Sequence, residues 1–137
     1  MVKRFGISLE NELLAEFDLL IKKKGYLNRS EALRDLIREA LIKEEWLEGS
    51  QETTGIVIIV YNHHQYDLAQ KVTGIQHENH DKIISSMHSH LDGHNCLEAI
   101  FLRGKAHKIQ EIANSIISTN GVKFGRFIPA TAGKTLK

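Results

Sequence analysis

The ten residues MHSHLDGHNC, Met87 to Cys96, hold three of the chain's eight histidines and its only cysteine. Imidazole nitrogens and a thiolate are donors for borderline transition metals, and a surface loop has no reason to gather them. His88 and His90 stand two apart in a segment that reads as a strand, so both side chains project to one face. Met87, Ser89 and Leu91 are expected to point the other way, into or along the domain. Cys96 opens the following strand, across a hairpin signalled by Asp92–Gly93. Two imidazoles and a thiolate can therefore come from one chain, and a four-coordinate site needs one more donor. His63, His64, His77, His80 and His94 are the candidates, and spacing alone does not choose among them.

The same residue types serve other ends. As core residues, His88 and His90 would leave adjacent polar rings in need of partners. As a nucleophile, Cys96 with a histidine base would need a substrate pocket and an oxyanion hole, for which the sequence carries no motif. Metal binding is the stronger reading. Three imidazoles and one thiolate suit tetrahedral zinc as well as square-planar copper(II) or nickel(II), so residue types leave the metal open.

The elements that position these residues change character near residue 50. After the polar stretch Glu48–Gly55, GIVIIVY is a continuous β-branched run, a buried strand. Leu68, Ala69, Val72 and Ile75 predict a short helix, and KIISSMHSHL and NCLEAIFLRG predict two strands of a hairpin. Ile109, Ile112, Ala113, Ile116 and Ile117 form a strong helical stripe, and VKFGRFIP closes as a strand. The order β-α-β-β-α-β is the ferredoxin-like arrangement. Before residue 50, Phe5, Ile7 and Leu9 alternate with Arg4, Gly6 and Ser8, the period of a half-buried strand. Two helices follow, one with Leu13, Leu14, Phe17, Leu20 and Ile21, the other capped at Asn28 or Ser30 and bearing Leu33, Leu36, Ile37, Ala40 and Leu41. The fold class is α+β. The boundaries expected are 1–48, a linker at 49–54, a second domain at 55–130 and a frayed tail at 131–137.

One strand and two helices cannot bury a core alone, and a lone strand exposes an unpaired edge. A dimer whose strands pair antiparallel solves both problems and turns Arg4, Gly6 and Ser8 outward. Such a two-stranded ribbon fits the DNA major groove. Arg4 can then grip guanine, Ser8 can meet a base edge, and the helix start at Asn28 and Arg29 can meet phosphate. The plain alternative is a dimerisation module with a solvated outer face.

Composition sets the frame. The chain has 137 residues, 42% hydrophobic and 26% charged, with a net charge of +1. That balance does not by itself indicate nucleic acid. No signal-like apolar stretch opens the sequence and no long apolar run crosses a membrane. One cysteine makes no internal disulfide. These features predict a cytoplasmic protein.

RFGISL, a helix, then GYLNRSEALRDLIREAL resembles a ribbon-helix-helix DNA-binding domain over residues 2–46. Gly6 departs from relatives that carry a hydroxyl there, so base readout should rest on Arg4 and Ser8. QHENHD, HSH and HNCLE, after such a domain and a linker, resemble the nickel-responsive transcriptional regulators of the NikR type, from about Val2 to Phe127. The resemblance implies one square-planar Ni(II) per subunit, held by His88, His90 and Cys96 of one chain and His77 of its partner. It implies an ACT-type second domain that builds a homotetramer, operator DNA as partner, repression of nickel-uptake genes, and no enzymatic activity. Gln76 and Glu98 flank ligands and can orient them, or be plain surface residues. Glu31 and Asp35, one turn apart, match carboxylates that hold a second, hard cation such as potassium in the family, or form an acidic face matched by Arg34 and Arg38. His63 and His64 are surface histidines or part of a low-affinity site, the surface being the better reading. The rival functions are a regulator of another metal, one with a structural zinc, and a metalloenzyme fused to a dimerisation module.

Overall fold

The computed structural model describes residues 1–134 and 136. Its contacts divide the chain into two compact units, Met1–Leu41 and Ile42–Lys137.

The first unit holds α1 (Asn11–Lys23) and most of α2 (Arg29–Glu48). Gly25, at φ 83°, ends the first helix after Lys24, a conformation that glycine adopts without strain. Asn28 caps the second helix, its Oδ1 accepting the Glu31 N–H at 2.9 Å. The expected strand over RFGISL is not a strand within one chain: residues 1–10 form no ladder. A strand exists only by pairing, and these residues have no partner segment in their own unit. Only Ile21 and Ala32 are buried here, while Phe5, Ile7 and Leu13 are 73%, 59% and 53% exposed.

The second unit contains β1 (Glu52–Asn62), α3 (Tyr66–Glu78), β2 (Ile83–His90), β3 (Asn95–Lys105), α4 (Ala106–Ile117) and β4 (Phe124–Pro129). The sheet is antiparallel in the order β2-β3-β1-β4, as the β-α-β-β-α-β reading requires. One face packs under the helices: Val57, Ile59, Tyr61, Cys96, Ile100 and Leu102 meet Leu68, Val72, Ile109, Ile112, Ala113 and Ile116. The strand β1 begins earlier than GIVIIVY because Glu52, Thr53 and Thr54 pair with Lys105, Gly104 and Arg103 of β3. The Thr53 and Thr54 hydroxyls also donate to the carbonyls of Ala130 and Thr131 at 3.2 and 2.8 Å. Thr131, expected to fray, also donates to Glu45; Thr135 and Lys137 lie outside the described residues.

Trp46 packs edge-on against Phe127, with centroids 5.4 Å apart, and its indole N–H donates to the Ala130 carbonyl at 2.9 Å. Phe127 in turn fills the space beside Gly55, where a Cβ would sit 2.5 Å from the ring. Gly55→Ala should therefore destabilise the protein by about 1–3 kcal/mol through overpacking. The shift of the urea midpoint of metal-free protein checks this.

Candidate metal centre

The hairpin brings the singled-out residues together. In the β2–β3 register His90 lies opposite Cys96 and His88 opposite Glu98. Directly opposed residues share a face, and on β3 this face is the buried one, holding Cys96, Glu98, Ile100 and Leu102. His88 and His90 therefore stand on the helix-covered side. Met87 and Ser89 occupy the open side, and Met87 is 65% exposed, so of the two expected placements, into or along the domain, they do not point into it. The strand β2 is an edge strand. Its inward-facing histidines stay accessible while its alternate residues face solvent.

Cys96 is fully buried, and its thiol donates to the Tyr61 carbonyl at 3.4 Å. Burial pushes that thiol above its ordinary value, a shift the Tyr61 contact partly offsets. An incoming cation must displace this proton. The imidazoles of His88 and His90 lie 5.2 Å apart by centroid. The His88 ring meets Tyr61 edge-on at 6.1 Å, and the His90 ring meets His63 at 4.7 Å. With the rings so engaged, no three His, Cys, Asp or Glu side chains among the described residues form a ready-made cage within one chain. The donor types still fit a borderline divalent metal, and His88 and His90 are exposed.

Glu98 is not a surface residue. It is 6% exposed and accepts hydrogen bonds from the Tyr61 hydroxyl at 2.9 Å and the Gln76 amide at 3.0 Å. Burial, then the carboxylate, pushes the Tyr61 phenol far up, so it remains a proton donor. Two donors for one buried carboxylate offset much of its desolvation cost. They also join β1, β3 and α3 at the point where α3 carries His77. His77 itself is exposed and lies near His80, with centroids 6.4 Å apart.

Sequence reasoning missed Tyr61. Its inward parity at the end of the apolar run was the available signal. It also placed His63 at the surface. That residue is half-buried, its Nδ1 has no hydrogen-bond partner, and burial with neighbouring imidazoles lowers its basicity. His64 Nε2 lies 2.7 Å from the Gly93 carbonyl and the His63 N–H donates to His94 O, which staples this loop to the hairpin turn.

In the first unit, Arg4, Gly6 and Ser8 are exposed. Arg29 makes a two-pronged ion pair with Asp18, both contacts 2.8 Å, and holds that carboxyl below its usual range. Asp35 accepts from the Tyr26 hydroxyl at 2.9 Å and from Arg38 at 3.0 Å. Glu31 stands in the first turn of α2.

Residues 54–129 match the family model of the NikR C terminal nickel binding domain, and residues 3–44 that of the ribbon-helix-helix protein, copG family. The chain is 53% identical to a nickel-responsive regulator of Geotalea uraniireducens, over 97% of this chain and 96% of that one. It is 47% identical to one of Thermococcus onnurineus, over 98% of each. This chain belongs to the nickel-responsive regulator family. An uncharacterized protein of Thermotoga maritima shares the fold, at a TM-score of 0.53 and 13% identity, over 59% of this chain and all of that one. Family membership supplies nickel as the metal and a ribbon-helix-helix N-terminus. No described helix is long and apolar enough to cross a membrane.

Proposed function

We propose that this chain represses nickel-uptake genes by binding a palindromic operator as a homotetramer when Ni(II) occupies a His3Cys site. The observation that carries this reading is the cross-strand register: His90 opposite Cys96 and His88 opposite Glu98, on the face that α3 covers. His88, His90 and Cys96 supply three donors. The fourth, as the family resemblance implies, is the partner subunit's His77, which is exposed in its own chain. One ion per chain follows, and the cation, when bound, ties two second units together.

Two unpartnered surfaces support the assembly. The first unit buries too little to stand alone, and an apolar groove of Ile7, Leu9, Leu13, Leu14, Phe17, Leu33 and Leu36 remains open. A second copy would cover that groove and pair the two RFGISL segments into a ribbon. The open sheet face exposes Met87, Phe124 and Ile128, as a tetramer interface would require. On DNA, Arg4 and Ser8 read base edges while Gly6 allows close backbone approach. Asn28 presents the capped start of α2 to phosphate, and Arg29 acts beside it with its fork already oriented by Asp18. Glu31 and Asp35 offer oxygen ligands to potassium; Asp35 must loosen its bonds to Tyr26 and Arg38 to do so.

Control of DNA binding is a population shift. A metal ion can favour the operator-competent arrangement only through a difference in its affinity for the two states. Cys96 gives up its proton, His88 and His90 turn toward it, and Gln76 with Glu98 fixes the end of α3 that presents His77 to the partner. An absorption titration of metal-free protein with Ni(II) tests the site. A thiolate-to-nickel band and planar-site visible bands that saturate at one equivalent per chain are expected. Zinc held in a colourless tetrahedral site, with no nickel band, would sink the reading.

A further inference from the structure

Gly74 lies inside α3, between the anchored half of the helix and His77. Nothing in the chain requires a glycine there. Its backbone is not in the left-handed region, unlike Gly25, Gly49, Gly121 and Gly133, and a Cβ at this position would meet nothing within 4 Å. The position lines a shallow groove beside Thr119 and Asn120, so no helix presses against it. A glycine in a helix interior is nevertheless unfavourable relative to alanine.

That weakness falls where the helix has least support. The buried residues of α3 are Leu68 and Val72, both before Gly74. Beyond Val72 the helix is held by the partly buried Ile75, the Gln76–Glu98 hydrogen bond and the C-cap Asn79, whose side-chain amide and N–H donate to the Ile75 carbonyl, with no fully buried side chain. A helix of this length is marginal without packing.

We infer that Gly74 sets the metal affinity of the site by keeping the His77 end of α3 only marginally stable. Part of the coordination energy then goes into ordering that turn, and the measured affinity is reduced by the fraction of molecules in which it is already formed. The inference rests on His77 being a metal ligand, as proposed above. It makes the glycine a determinant of the nickel concentration at which the regulator responds.

The test uses full-length protein and two readouts: Ni(II) affinity by competition with a chelator of known strength, and the change in far-UV helix signal on adding Ni(II). Gly74→Ala should bind Ni(II) more tightly, by up to about fivefold, which is the Gly-to-Ala propensity difference of about 1 kcal/mol converted to an affinity ratio. It should also gain less helix signal than wild type. Gly74→Ser should fall between the two, as serine's intermediate propensity dictates. His77→Ala separates the two ideas. If it leaves Ni(II) affinity unchanged, the ligand assignment falls. If it weakens binding while Gly74→Ala binds no more tightly than wild type, the inference about Gly74 falls alone. Weaker binding by Gly74→Ala would mean that the open space admits a second subunit, and would also overturn it.

Discussion

Cys96→Ala is expected to lower Ni(II) affinity by at least about a hundredfold, to erase the thiolate-to-nickel band, and to abolish nickel-dependent DNA binding. Loss of an outer partner of a ligand already costs roughly 10–100-fold, and removal of the only anionic donor should exceed that. DNA affinity without metal should not change, because Cys96 lies in the second unit, under its helices. The substitution deletes one sulfur from a fully buried position and its contact with the Tyr61 carbonyl, a loss on the order of 1 kcal/mol. Cys96→Ser is the companion variant: its hydroxyl can keep the bond to Tyr61 but cannot form a thiolate. Calorimetric titration and operator-binding curves with and without Ni(II) decide the matter. A nickel response that survives in both folded variants would remove Cys96 from the ligand set.

The parts of this fold that could be read from sequence are those specified by local pattern. The stripe of Ile109, Ile112, Ala113 and Ile116 became the buried face of α4, since a 3.6-residue period leaves one face to bury. The hairpin around Asp92–Gly93 formed as the turn residues indicate, with Asp92 accepting the N–H groups of His94 and Asn95. Pairings between distant segments were not legible. RFGISL has the period of a strand, but its ladder needs another chain, so alternation alone could not build it within one. Parity fixes that His88 and His90 share a side and Met87 the other; it cannot say which side the helices cover, so both placements of Met87, into or along the domain, stay open. Tyr61 reaches Glu98 across 37 positions, and no local signal announces such a contact. On sequence alone Glu98 therefore stays open between a residue that orients a ligand and a plain surface carboxylate.

Glu98→Ala should cost stability and metal affinity together. It strips the Tyr61 hydroxyl and the Gln76 amide of their shared acceptor, and an unsatisfied buried donor costs about 1–3 kcal/mol. It also frees the end of α3, so Ni(II) affinity should fall by roughly 10–100-fold, the range for groups that orient ligands. Glu98→Gln separates charge from hydrogen bonding. Its amide oxygen can still accept from Tyr61, and Gln76 can turn its own amide to face the new N–H groups, so stability should stay within about 1 kcal/mol of wild type. If the carboxylate acts only by holding Gln76 and Tyr61, Glu98→Gln binds Ni(II) almost as wild type does. If its negative charge helps neutralise a divalent ion beside one thiolate, Glu98→Gln loses affinity with little loss of stability. Wild-type Ni(II) affinity in a destabilised Glu98→Ala protein would show that the residue serves the core alone, and that α3 is positioned by Leu68 and Val72 without it.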